Sequence, residues 1–349
     1  MNKSAEIGGV RVDAPIWLAP LAGISTYSFR AFHRKIGAGL VHTEMVSAAG
    51  LAWKNEKTHE MLGGFQEPGP IVLQLFAPDA KTLMAGVSAC LSKPTTSAGG
   101  STRAERGIGD FDALEINMAC PMPKVAKKGA GAKLLERPDL AAEMVTALKE
   151  LGRPVWVKMR IIPAAKHLPA TNAFCETMLS AGADLLLLHG RTPAQRYEGT
   201  SDKGTVCRIA GEFRNRVVAS GDFYSPDDAL VYLRGGCVGV LAARGVLQDV
   251  FLIPKTLAAL GRTVPRRFLV PSVPDRIDAV IEMGRSGMTH EGERFTLVLT
   301  KRMLSGLFKG FPGAAALRQS CAVCRDWRAF EALLTEQKEL FLRKRSCYN

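Results

Sequence analysis

Eight short, almost continuously apolar runs recur through roughly the first 250 residues, and they limit the possible folds more than any other feature. They are Ile16–Ala19, Leu40–Val46, Ile71–Phe76, Ala113–Met118, Val155–Arg160, Leu185–Leu188, Val217–Ala219 and Val238–Ala242. Runs this short without polar alternation suit parallel strands covered on both faces. Helix-like segments lie between them: Tyr27–Lys35, Asp79–Leu91, Pro138–Leu151, Thr171–Ala181, Gly204–Phe213 and Ser225–Arg234. Ser25, Pro78-Asp79, Pro138-Asp139 and Ser225-Pro226 read as helix starts, and Gly37, Gly152, Gly182 and Gly235 fall where C-caps belong. Eight βα units predict an α/β fold closed as a (β/α)8 TIM barrel. The competing open sheet lacks a G-x-G-x-x-G after the first strand.

The rhythm ends after Gly245. The expected division is a barrel over residues 1–260, a linker over 261–274 marked by three prolines, and a small all-helical domain over 275–349. Its helices are read as Arg276–Met283, Glu291–Leu307, Ala314–Cys324 and Trp327–Arg343. The polar, Gly/Ser/Thr-rich stretch 92–109 precedes a strand start, which places it at the rim away from barrel chemistry as a flexible insertion. Of the net charge of +13, +7 sits in residues 261–349, as in an appendage that binds a polyanion; the plainer reading is a solubilising surface.

Hydrophobic residues at 47% and charged ones at 23% exclude a disordered chain. No apolar run approaches the roughly 20 residues of a bilayer span, so no membrane partner is expected. The first residues, MNKSAEIGGV, show no export signal, and eight cysteines dispersed over a core-forming chain suit reduced thiols in the cytoplasm. Cys321-x-x-Cys324 invites a metal reading, but only Cys347 and His290 remain as further ligands, so no metal is expected. The chain is expected to be monomeric.

Barrel chemistry is built at the C-terminal strand ends. Those ends carry Pro20-Leu21-Ala22, Thr43-Glu44, Gln74, Asn117-Met118-Ala119-Cys120, Lys158-Met159-Arg160, His189-Gly190-Arg191, Ser220-Gly221-Asp222 and Ala243-Arg244. Polar and reactive groups thus converge on one mouth. A phosphate site is expected between strands seven and eight, from Ser220, Gly221, Asp222, Ala243 and Arg244.

Over roughly residues 14–250 the segments APLAGISTYSFR, GAGLVHTEMVSA, LQLF, LEINMACPMPKVAKKGAGAKLL, VWVKMR, LHGRTPAQRYEG, ASGDFYSPDDA and AARG resemble, in order, the tRNA-dihydrouridine synthase family. KGFPGAAALR also resembles that family's helical domain. The resemblance implies FMN as cofactor, NADPH as reductant, and reduction of particular uridines in tRNA. It makes Cys120 the general acid at uracil carbon 5, with flavin hydride going to carbon 6. Lys158 would stabilise the electron-rich end of the flavin. Gln74 and His189 would bond the flavin, which Pro20, Leu21 and Ala22 would also touch. Asn117 would position substrate or flavin, and Arg191 would meet phosphate or uracil. The 129–132 run would be a flexible lid, with Lys124, Lys127 and Lys128 facing tRNA phosphates. On the helical side Arg318 is the leading RNA contact, with Lys301, Arg302, Lys309, Arg343, Lys344 and Arg345 as further candidates. Ser220, Ala243 and Ala119 stand where the family usually has Asn, Gly and Gly, which marks a divergent member. Two rival readings are an FMN barrel oxidoreductase acting on a small molecule, and a non-catalytic RNA-binding paralogue.

Overall fold

The computed structural model describes residues 4–62, 69–91, 107–163 and 167–346, with side chains through Arg343. Nine parallel segments form one closed sheet: β3 (Ile16–Leu18), β4 (Val41–His42), β5 (Val46–Ser47), β6 (Ile71–Phe76), β7 (Ala113–Met118), β8 (Val155–Arg160), β9 (Leu185–His189), β10 (Val217–Ser220) and β11 (Gly239–Ala242). β4 and β5 are two pieces of one barrel strand, both paired with β6, and β11 closes on β3. The result is the expected eight-stranded (β/α)8 barrel. Between the two pieces lies Glu44, whose carboxylate accepts the Gly23 N–H.

Residues two apart on a strand share a face, so each strand feeds two cores. Trp17, Val72, Ala113, Trp156, Leu185, Leu187, Val218 and Leu241 fill the barrel interior, with Trp17 and Trp156 stacked at 5.5 Å. The alternate residues face the surrounding helices. An N-terminal hairpin absent from the sequence reading, β1 (Ala5–Ile7) with β2 (Val10–Val12), adds Val10 and Val12 to the interior core. Trp156 Nε1 donates to the Gly8 carbonyl at 2.8 Å, fastening the hairpin under the barrel.

Other departures are local. The first helix, Tyr27–Lys35, starts at Thr26 with no side-chain cap of its own, and Ser25 instead accepts the Leu21 N–H. Glu291, 263 residues from Ser28, accepts both the Ser28 N–H and its hydroxyl, so the C-terminal helices supply the cap. The expected linker is partly helical: Arg266–Leu269 forms one turn, and Ser272 caps the helix Val273–His290 through a reciprocal bond with Asp275. Glu293–Leu307, Ala314–Val323 and Trp327–Ser346 follow. Their buried residues, among them Leu299, Met303 and Phe330, belong to the same apolar cluster as the outer barrel layer. Residues 92–106 of the expected insertion lie outside the described residues; Ile108–Asp110 makes one 3-10 turn on a buried Ile108.

Candidate active site

Strand register brings the polar residues of β6 to β9 side by side at the upper end of the interior. Gln74 pairs with Glu115, Asn117 with Lys158, and Arg160 with His189. All six are buried. Below them the same faces carry Val72, Ala113, Trp156 and Leu187, so the polar layer rests on an apolar floor.

The loop after β7 holds Cys120, half-buried at the mouth and clamped from several sides. Asn117 Oδ1 accepts the N–H groups of Ala119 at 3.1 Å and Cys120 at 2.9 Å. Arg160 Nε donates to the Ala119 carbonyl at 2.8 Å, while its Nη1 donates to the carbonyls of Thr192 and Arg196 at 3.0 and 2.8 Å. Arg160 therefore ties the cysteine loop to the loop after β9. The sequence reading gave it no role, although its parity with Lys158 on an inward strand face was a usable signal. The Cys120 carbonyl accepts the Ala132 N–H at 3.0 Å. The 129–132 run, expected as a lid, is a fixed wall: Ala130, Gly131 and Ala132 are buried. Gly131 has φ +65°, and a Cβ there would fall 2.6 Å from the Cys120 carbonyl oxygen.

Two buried polar groups beside this loop have no hydrogen-bond partner among the described residues. Lys158 is pushed down to about 8, first by burial and further by Arg160, against the pull of Glu115 and Cys120. His189 Nε2 is buried and unbonded, and its ring is pushed down to about 2 by burial and then by Lys158, Arg160, Arg191 and Arg244. That keeps the imidazole neutral at any ordinary pH. An unbonded ring nitrogen buried at a strand end costs free energy unless a ligand meets it. Gln74 is less free than expected: its Nε2 donates to Glu115 and its Oε1 accepts from Asn117 at 2.9 Å, leaving one N–H and one lone pair for a ligand.

Between β10 and β11 the backbone is shaped by Gly221 (φ +112°) and Asp222 (φ +43°). A Cβ at Gly221 would meet Ser201 Oγ at 2.4 Å and His189 Cδ2 at 2.7 Å, so only glycine allows this approach. Ala243, at the start of the short helix Arg244–Gln248, has φ −118° and ψ −110°, outside the usual α and β regions for an L-residue. Ser220 is buried beside His189 in the register. Asp222 accepts from Arg191 Nη1 and Nη2 and from the Ser201 N–H, all at 2.7 Å, and from Arg244 Nη2 at 3.3 Å. Burial raises its pKa, but these bonds outweigh that and hold the carboxyl below its usual range.

Arg191 was expected to meet phosphate or uracil. It is instead 2% exposed, and it also donates to the carbonyls of Glu198 (3.1 Å) and Gly199 (2.6 Å), which makes it an internal brace. Arg244 stays accessible, lying 5.0 Å over Tyr197 and 5.8 Å over Tyr224. Pro20 and Leu21 are half-buried and Ala22 exposed at the same rim.

The helical candidates also divide. Lys301 Nζ donates to the carbonyls of Ala322 and Cys324 at 2.9 and 2.5 Å, and Arg318 donates to the Phe308 carbonyl. Both cap helix C-termini, where a cation also complements the dipole. Arg302, the neighbour of Lys301, reaches the barrel rim and donates to the Gly23 carbonyl at 3.2 Å while remaining exposed. Lys309, Lys124, Lys127 and Lys128 are exposed, and Arg343 pairs loosely with Glu339. The side chains of Lys344 and Arg345, and all of Cys347, lie outside the described residues. Among the described residues no cluster of three His, Cys, Asp or Glu could hold a metal ion, and no helix is long and apolar enough to cross a membrane.

Comparison with known proteins adds the following. The model of one family, described as "Dihydrouridine synthase (Dus)", matches residues 17–342. A Mycobacterium tuberculosis protein (strain ATCC 25618 / H37Rv) named "Probable tRNA-dihydrouridine synthase" is 31% identical over 95% of this chain and 84% of its own length. A Mycobacterium leprae protein of the same name is 28% identical over 91% of this chain and 86% of its own. A Synechocystis protein named "Probable tRNA-dihydrouridine synthase 1" is 28% identical over 91% and 84%.

Proposed function

The chain belongs to the dihydrouridine synthase family, and from that premise we propose that it reduces uridine to 5,6-dihydrouridine in tRNA, with FMN bound in the barrel mouth and NADPH as electron source. The observation that carries this reading is Cys120, clamped at the mouth beside the buried, unpartnered Lys158 ammonium and His189 Nε2. Those two groups fit a flavin's polar edge: a fixed cation favours negative charge on the reduced ring, and neutral His189 can donate or accept a hydrogen bond there. When bound, the flavin supplies hydride to carbon 6 of uracil.

The chain's own residues do the rest. The Cys120 thiol delivers the proton to carbon 5, its loop held by Asn117, Arg160 and Ala132 so that the sulfur keeps one approach to the ring. Gly221, Asp222, Ala243 and Arg244 form the corner proposed for the FMN phosphate, with Asp222 fixed by Arg191. A uridine stacked inside a folded loop cannot reach a mouth at strand-end depth, so the nucleotide must be extruded. The exposed Lys124, Lys127 and Lys128 beside Cys120, with Arg302 on the helix Glu293–Leu307 and Lys309 in the loop after it, are proposed to hold the flanking phosphates. A small-molecule substrate would need no such cationic flank, which favours RNA.

The test is Cys120→Ala. The purified variant should stay yellow and be bleached by NADPH, while dihydrouridine formation, read by mass spectrometry of tRNA, falls by about 100-fold or more. Near-normal uridine reduction by the variant overturns the role of Cys120. A colourless wild-type protein that cannot be loaded with FMN overturns the enzymatic reading altogether.

A further inference from the structure

Beneath the mouth, a line of buried side chains crosses the barrel from β4 to the cysteine loop. His42 Nδ1 lies 2.8 Å from the Leu18 carbonyl, which can only accept, so Nδ1 carries the hydrogen. The other ring nitrogen, Nε2, lies 3.3 Å from Glu115 Oε2, and neither atom makes a hydrogen bond. Glu115 Oε1 accepts from Gln74 Nε2, Gln74 Oε1 accepts from Asn117 Nδ2, and Asn117 Oδ1 accepts the backbone N–H groups of Ala119 and Cys120. His42, Glu115 and Gln74 are at most 1% exposed, so no water competes for these bonds.

We propose that Glu115 is a positioning residue: its carboxylate sets the direction of the Gln74 and Asn117 amides and so holds the backbone of Cys120. The argument is one of polarity. Each amide can be turned by half a rotation, and in isolation either orientation is open to it. A carboxylate oxygen can only accept, so Gln74 must present its nitrogen to Glu115 and its oxygen to Asn117. Asn117 must then give its nitrogen to Gln74, which leaves its oxygen for two backbone N–H groups that need an acceptor. Turning either amide opposes two oxygens in a dry interior, where unmet polar groups are most costly. The direction chosen in the middle of the barrel is thereby transmitted to the reactive loop. Glu115 also attracts the Lys158 ammonium on the adjacent strand, which forms no link in the chain.

The proposal rests on the reading of Cys120 as the proton donor, but half of its test does not. Glu115→Met removes the acceptor at similar size. Glu115→Gln keeps the polarity, since its oxygen can accept from Gln74 while its amide donates to His42 Nε2. The readouts are the rate of Cys120 alkylation by iodoacetamide, with buried Cys175 and Cys237 as internal reporters of an intact fold, and kcat and KM for dihydrouridine formation. E115M should release the loop, raising Cys120 alkylation at least about threefold and lowering kcat about tenfold at unchanged KM for tRNA. E115Q should stay within about twofold of wild type in both.

If E115M does not fold, Asn117→Asp serves in its place. It opposes two acceptors at Gln74 and should show the same losses, whereas the double variant E115Q/N117D lets both amides turn round, at the cost of setting an amide oxygen against His42 Nε2, and should regain part of them. The proposal is overturned if E115M matches wild type, if E115Q is impaired as much as E115M, or if the double variant is no better than N117D. Should wild-type protein form no dihydrouridine, the functional reading fails, and the alkylation rates still decide this one.

Discussion

Replacing Asp222 with alanine tests whether the loop after β10 is an internal structure built on Arg191. Arg191 is 2% exposed and directs two N–H groups at the Asp222 carboxylate, both at 2.7 Å. Removing the carboxylate leaves those groups, and the Ser201 N–H, aimed at nothing. Breaking a buried pair by deleting one partner typically costs about 3–5 kcal/mol, because an unpaired charge remains. The Asp222 side chain is 18% exposed and the carbonyls of Glu198 and Gly199 still serve Arg191, so the low end, about 3 kcal/mol, applies here.

At roughly 1.4 °C per kcal/mol for a chain of 349 residues, the melting temperature of the flavin-free protein should fall by about 4 °C. The double variant Arg191→Met/Asp222→Leu should recover part of that loss, since no orphan charge is left. The pH dependence has a definite sign. Asp222 is held below the usual carboxylate range, so its stabilisation is complete above about pH 4 and disappears as the pH falls through the folded-state value. Thermal melts of wild type and D222A should therefore differ at pH 7 and converge toward pH 3. A D222A protein melting within 2 °C of wild type at pH 7, or a gap that persists undiminished in acid, would refute the reasoning.

Lys158→Met should stabilise the flavin-free protein by about 3 kcal/mol at pH 7, because the burial that lowers the ammonium to about 8 is a penalty relieved only as the pH rises toward 10.5. The gain measured by urea unfolding should shrink between pH 8 and 10.5 while FMN affinity drops; a gain constant with pH would contradict the assignment. Gly131→Ala, at φ +65° and 2.6 Å from the Cys120 carbonyl, should cost about 1–3 kcal/mol and slow uridine reduction more than flavin reduction by NADPH. Equal slowing of both steps would count against a specific displacement of the cysteine loop. Arg302→Met should lower the salt slope of tRNA binding by about one. Lys301→Met and Arg318→Met should leave that slope unchanged and each lower stability by about 1 kcal/mol.

The barrel was legible because its signals are local. β6, β7 and β8 run from Ile71 to Phe76, Ala113 to Met118 and Val155 to Arg160, as their largely apolar character suggests for strands buried on both faces. The position of Cys120, Lys158 and His189 at strand ends follows from the same counting. What the counting cannot reach is the use of a donor or acceptor by a residue far away in the chain. Arg191, Lys301 and Arg318 look like free cations in the sequence, yet the carbonyls and carboxylate that engage them are brought into place by packed loops and helix ends. The first helix, whose start the sequence marks at Ser25, takes its cap instead from Glu291 of the C-terminal helices. The line from His42 through Glu115 and Gln74 to Asn117 runs across the neighbouring strands β4, β6 and β7, whose register only the folded sheet sets. Apolar periodicity, a property of each segment, determined the architecture and the mouth. Which polar groups stay free at that mouth was decided by tertiary packing, because a hydrogen bond depends on the position of both partners and a sequence states only one at a time.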